Sequence, residues 1–481
     1  MKTTIFLSAL STLPLFAETA VTVYNKNFAV VRDIVPLSLQ KGINDATYNG
    51  ATLSLEPDSV ILRDLSGKAK LSILEQSYRK DTASQGLLLS MFQGETIDFL
   101  TPPNDRGEQV QVKGKIVRSG YSPGGRAGTP IIEVDGKMRF SLPGQPLFPT
   151  LGDNTILEPA LSWKLASNVK ADIKAELSYL TGGLSWQSSY NLVLPEKGTD
   201  IDMVGWVTFN NRSGKTFNNA SIKLMAGDVN KIAPSPQGFA RAEMLMAKGD
   251  IASDSAVTQK AFDEFHLYSL PRKVTLRDKE TKQVEFMRGE KIKSKTIYTY
   301  DGAGLRWQNF AGWNADQLRG RRNFGGNVNK KIKVEREFAN TKENGLGIPL
   351  PAGKIRFYRQ DNSDGRIEFT GDNVIDHTPQ GEDVKVSIGD SFDLIGDRKQ
   401  VDYQLDNRGR KLTETYEIIL TNRKKEAVTI TVQEQMIRGG NWEIIEKSDE
   451  FKKLDARRVT FDVPVKPDEK RKVSYTVRYT W

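Results

Sequence analysis

The sequence predicts a mainly β protein, a multi-domain antiparallel β-sandwich with a small inserted β-barrel or meander and few helices. Three observations lead there. Apolar residues recur at every second position in many short runs, so that one strand face is buried and the other wet, as in Val428-Thr429-Ile430-Thr431-Val432. Turn-forming residues punctuate these runs: Asp361-Asn362-Ser363-Asp364-Gly365 separates Ile355-Arg356-Phe357-Tyr358 from Ile367-Glu368-Phe369, which predicts a hairpin. Helical periodicity is sparse.

The elements follow in chain order. Residues 1–17 predict a signal peptide: Lys2 supplies the positive start, Ile5 to Phe16 is mostly apolar but too short to span a bilayer, and cleavage is expected after Ala17. Residues 18–74 open a β-sandwich portion with Val21-Thr22-Val23-Tyr24 and Phe28-Ala29-Val30-Val31. Residues 75–150 form the small barrel or meander, with strand runs expected near 87–99, 109–118 and 130–142 between Pro- and Gly-containing turns. A central β domain spans 155–330. Within it, 231–262 is expected to be a mobile connection with a short helix over Ala240 to Lys248, and 301–329, rich in Gly, Asn, Arg and Trp, is expected to be a long loop. A C-terminal β-sandwich occupies 331–481, where Val459, Phe461, Val463 and Val465 alternate, then Val473, Tyr475, Val477, Tyr479 and Trp481.

Composition removes whole classes of chemistry. The 481 residues contain no cysteine, which excludes disulfides, thiol nucleophiles and zinc-thiolate or cysteine-ligated iron-sulfur sites. The only histidines, His266 and His377, lie 111 positions apart with no metal-binding spacing, so no metal and no cofactor are expected. The net charge of +9 is small for this length, and the signs are interspersed, as in Arg423-Lys424-Lys425-Glu426. That favours solubility and attraction to anionic envelope polymers over nucleic-acid binding. Gly214-Lys215-Thr216 echoes the end of a phosphate loop, but Phe209 stands where its first glycine should be, so a turn is expected.

Several phrases resemble an uncharacterised bacterial secreted family, defined by a domain of unknown function and including mucoidy-inhibitor-like proteins. They are Ser178 to Trp186 (SYLTGGLSW), Gly205-Trp206-Val207-Thr208 followed by Asn211, Gly214 and Asn219-Ala220, Glu264 to Tyr268, Gly345 to Gly353, Ile388 to Asp393, and Gly440 to Ile444. The resemblance implies a mostly β, exported protein and supplies no activity or catalytic residue. Residues 305–329 look like an insertion relative to the family.

The 301–329 loop supplies the ligand-binding candidates Trp307, Trp313, Arg319, Arg321 and Arg322, with Phe310, Phe324 and Arg306 beside them. Flat aromatic faces next to guanidinium groups suit sugars and anionic polymers. The competing expectation is that the aromatics tuck into the domain beneath. The function expected is that of an exported, periplasmic or extracellular, non-enzymatic protein with a binding or structural role in the cell envelope, its partner an envelope polysaccharide or a protein. No nucleic acid and no transmembrane helix after signal cleavage are expected. Two alternatives stand beside it. A hydrolase could use carboxylates alone on glycans, since 60 acids are available. An outer-membrane barrel is the other, since the C-terminal alternation ending in Trp481 resembles a closing barrel strand.

Overall fold

The computed structural model describes residues 19–123, 125, 128–151, 155–195, 198–227, 229, 231, 258–262, 265–304, 312–322, 329–361, 363–408 and 410–481. The expected signal segment, the Ala240 to Lys248 stretch, Arg306, Trp307, Phe310 and Phe324 therefore lie outside the described residues. The described chain is mainly strand, with two α-helices among the described residues, and no helix there is long and apolar enough to cross a membrane. It divides into two compact units, one of Met1–Trp186 with Phe209–Lys282, the other of Gln187–Thr208 with Gln283–Trp481. The stretch 155–330 thus contributes to both units.

The first unit is built on an eight-stranded sheet in which the first described strand, Ala20–Tyr24, is interior. It runs antiparallel to Phe28–Leu39 and parallel to Phe217–Ala226, with Val21 opposite Ile222. Val21, Val23, Val31 and Leu224 are buried, as the alternation requires. Thr258–Phe262 forms an antiparallel pair with Phe265–Ser269, so the end of the expected 231–262 connection is a strand. The Gly-Lys-Thr phrase is a turn: Gly214 has φ 78°, and the Lys215 ammonium donates to Asp33 Oδ2 at 2.8 Å and to the Tyr48 hydroxyl at 2.7 Å. Thr19 and Tyr48 also donate to Asp33. Burial works to raise the Asp33 pKa, but the Lys215 charge and these hydrogen bonds together hold it below the ordinary aspartate value.

The inserted element of this unit is a meander, in which Gln145–Leu147, Thr96–Leu100, Gln111–Arg118, Ile131–Val134 and Lys137–Arg139 pair in that order. The strand expected from residue 87 differs: Gln85–Met91 is a helix. Ser84 caps it by accepting from the Leu87 N–H, Leu88 and Leu89 are buried, and Leu89 joins Ile97, Phe99, Ile116 and Ile132 in the meander's core.

In the second unit, Gly353–Gln360 lies between the parallel strand Leu184–Leu194 and the antiparallel Ile367–Ile375 in a five-stranded sheet. This is the expected hairpin, closed by the Gly365 N–H donating to the Asp361 carbonyl at 2.8 Å. A nine-stranded sheet holds the rest. Its 24-residue strand, Asp383–Asp406, pairs through its first half with Lys331–Ala339 and through its second half with Lys411–Asn422. That long strand lets the sheet curl on itself. Ile430, Val432, Phe461 and Val463 consequently meet Ile418, Leu420, Val473 and Val477 in one core.

The last strand, Lys470–Thr480, belongs to this core. Val473, Tyr475, Val477 and Tyr479 are buried, whereas the opposite face carries Ser474, Thr476, Arg478 and Thr480. Its apolar side is thus covered by protein and its other side is polar.

Candidate functional site

The curled sheet places charges where the alternation calls for apolar residues. Along Lys411–Asn422 the inward residues are Leu412, Glu414, Tyr416, Ile418 and Leu420. Along Val428–Gln435 they are Val428, Ile430, Val432 and Glu434. Both glutamates are 1% exposed. Each is neutralised by an arginine. Arg398 Nε and Nη2 grip the Glu434 carboxylate at 2.9 Å, and the Tyr475 hydroxyl donates to it at 2.6 Å. Burial works against the Arg398 charge, but Glu434 outweighs it and keeps the group protonated far above any accessible pH. The same guanidinium lies 3.8 Å from the Tyr416 ring centroid. Burial raises the Tyr416 pKa to about 12, so its hydroxyl stays a donor to Glu414, at 3.1 Å.

Arg438 completes the network and reaches out of it. Its Nη2 donates to Glu414 at 2.8 Å, while the guanidinium also donates to the backbone carbonyls of Leu318, Arg321 and Arg322. Leu318 lies in the helix Ala315–Gly320, which the expected 301–329 loop contains, and Arg321 and Arg322 follow its end. Asn314 and Gln317 form a capping box at its start, through which the Gln317 N–H and Asn314 N–H are each satisfied by the other's side chain. Tyr403 donates to the Arg319 carbonyl. The described part of the loop is therefore held from beneath by a buried arginine.

The candidate residues fall into two groups. Arg319 is turned inward: its guanidinium lies 4.1 Å from the Trp481 ring and its side chain is 14% exposed. Trp313 is half-buried and stacks on Arg321, whose guanidinium is 4.3 Å from the ring. Arg321 and Arg322 are exposed. Arg319 thus packs on the domain, whereas Arg321 and Arg322 are exposed beside the half-buried Trp313. Trp307 lies outside the described residues.

A second feature had no counterpart in the sequence reading. A pocket of about 840 Å³ in the second unit is lined by Lys295, Tyr298, Arg336, Arg359 and Lys424, with Asp390 and Glu426 on its wall. Among the described residues no three histidine, aspartate or glutamate side chains cluster as metal ligands would. His377 accepts the Ala352 N–H through Nδ1 at 3.1 Å, and His266 lies in the strand Phe265–Ser269.

A β-sandwich unit with an ion-paired interior and a clamped surface helix is the class of protein these features define. Residues 175–481 match the family described as a domain of unknown function, DUF4139, and the chain belongs to that family. The phrases from Ser178 to Ile444 all lie in the matched range. No curated protein and no solved structure matches the chain.

Proposed function

We propose that the chain is an exported, non-catalytic binding protein of the cell envelope or extracellular space, and that the loop helix presents Trp313, Arg321 and Arg322 to an acidic polysaccharide. The observation that carries this reading is the Arg438 clamp. An exposed helix of six residues does not hold itself in water, yet here a buried guanidinium takes the carbonyl of Leu318 in its last turn and those of Arg321 and Arg322 just after it. Fixing the backbone in advance removes the ordering cost that a flexible loop would meet on binding. The Trp313 ring with the Arg321 guanidinium against it is a flat cationic surface suited to a uronate or other acidic sugar. Export rests on the signal-like start of the sequence, and the mucoidy-inhibitor-like relationship on the ordered phrases.

Retention of the mature protein on acidic glycans, neutral glycans and peptidoglycan tests the reading. Retention on the acidic glycans is expected, with Trp313→Ala and Arg321→Ala each weakening it about tenfold, on the scale of one cation–π contact with its accompanying hydrogen bonds. Retention unchanged in both variants, or absent throughout, would overturn it.

A further inference from the structure

We propose that the Arg336 pocket is an oxyanion-binding site, one that takes the carboxylate or phosphate of a small acidic sugar, independently of the loop helix. The strand Lys331–Ala339 alternates outward Lys331, Lys333, Glu335 and Glu337 with inward Ile332, Val334, Arg336 and Phe338. Ile332 is fully buried and Phe338 nearly so, and Arg336, between them in phase, is 5% exposed. A long cation has been placed on the apolar side of a strand.

The other buried charges of this core show what such a residue needs. Arg398 has Glu434, and Glu414 has Arg438. Arg336 has no carboxylate within ion-pairing distance among the described residues. Its Nη1 donates to Ser294 Oγ at 3.2 Å, and its buried Nε has no hydrogen-bond partner. The acids beside it in sequence are used on the other face: Glu337 pairs with Lys295 at 2.5 Å, and Glu335 with Lys385 at 3.2 Å. Its charged neighbour is Arg359, and burial first, then that like charge, hold the Arg336 pKa below the ordinary arginine value. An uncompensated charge at this depth is costly, and the costly arrangement opens onto a cavity.

The cavity is shaped for an anion with a polar body. At about 840 Å³ it admits one or two sugar rings. Tyr298 offers a ring wall, held by the Lys424 ammonium donating to its hydroxyl at 2.7 Å. The two carboxylates on the wall are already engaged: Asp390 lies 3.1 Å from Lys331, and Glu426 lies 3.9 Å from Lys424. Arg336 is the buried cation of this wall with no carboxylate within ion-pairing distance among the described residues.

Isothermal titration and thermal melting of the full chain in Tris chloride, with inorganic phosphate, sulfate, galacturonate, glucose 6-phosphate and neutral galactose, test the assignment. The oxyanions should raise the melting temperature and galactose should not, and the stronger of galacturonate and glucose 6-phosphate identifies the acid group the site prefers. Arg336→Met should weaken oxyanion binding at least tenfold and, in anion-free buffer, melt no lower than the parent, because it removes an unpaired buried charge. Trp313→Ala should leave these titrations unchanged, which separates this site from the loop helix. No response of the parent chain to any of the oxyanions, or a full response retained in Arg336→Met, overturns the proposal. If Arg336→Met fails to fold, Arg359→Gln decides by the same titration: affinity unchanged there overturns it.

Discussion

Removing the Arg438 guanidinium should expose how the second unit holds its loop. In Arg438→Met, Glu414 keeps its place, 1% exposed, but loses two donors from the arginine and retains only Gln400 at 2.7 Å and Tyr416 at 3.1 Å. Breaking a buried pair in this way costs about 3–5 kcal/mol, mostly from the charge left behind. The double variant Arg438→Met/Glu414→Leu removes both charges, and well-packed apolar replacements of buried pairs are close to neutral, so it should lose less than about 2 kcal/mol. Urea denaturation of the parent, Arg438→Met, Glu414→Leu and the double variant, followed by tryptophan fluorescence, supplies the cycle. Because the carbonyls of Leu318, Arg321 and Arg322 lose their donor, trypsin should also cut after Arg319, Arg321 and Arg322 faster in the two variants that lack Arg438. A single-variant loss below about 1 kcal/mol, or a double-variant loss equal to the sum of the singles, would refute the account of the pair. Unchanged cleavage would refute the clamp.

Two further substitutions probe other parts of the fold. Asp33→Asn in the first unit should cost about 3 kcal/mol at neutral pH, since it leaves the Lys215 ammonium without its carboxylate. The folded pKa of Asp33 is depressed, so its contribution is complete above the unfolded value near 4 and disappears as pH falls through the folded value. The variant should therefore flatten the acid limb of a stability-against-pH curve, and an acid limb identical to the parent's would contradict this. Gly396→Ala would place a Cβ about 2.1 Å from the Tyr300 ring, which is fully buried and donates to the Asn329 carbonyl at 2.7 Å. Such overpacking should cost about 1–3 kcal/mol, and a melting temperature equal to the parent's would show that the ring can yield.

The strands were legible where period two was undisturbed. Val428 to Val432, Val459 to Val465 and Val473 to Tyr479 each bury the face that alternation assigns, and the hairpin around Asp361 closes as its turn residues require. The helix Gln85–Met91 was not, because a seven-residue Leu-rich run has too few turns to separate period 3.6 from a buried strand; the Ser84 cap was the available signal. The Asn314-x-x-Gln317 cap within the Gly-rich stretch was a similar signal for the second helix. The partners of the inward charges could not be read, since Arg398 meets Glu434 across 36 positions and Arg438 meets Glu414 across 24, through sheet pairings that no local pattern encodes. Arg336 itself was visible as a cation in the apolar phase of Lys331–Ala339. What marks it out, the lack of a carboxylate within ion-pairing distance among the described residues and the cavity before it, exists only in three dimensions.

The position of Ala20–Tyr24 sets the order in which the first unit can be completed. One of its flanks is filled within a few residues by Phe28–Leu39, but the other waits for Ser221 to Met225, about two hundred positions later. Until that segment arrives, the middle of the largest sheet in this unit has an open row of backbone donors and acceptors. Closure over so long a loop is slow, and an unfilled row of this kind recruits whatever extended chain is nearest. Nascent or refolding molecules should therefore be most vulnerable to strand exchange between copies while residues 217–226 are still unplaced, and dilution during refolding should improve recovery for that reason.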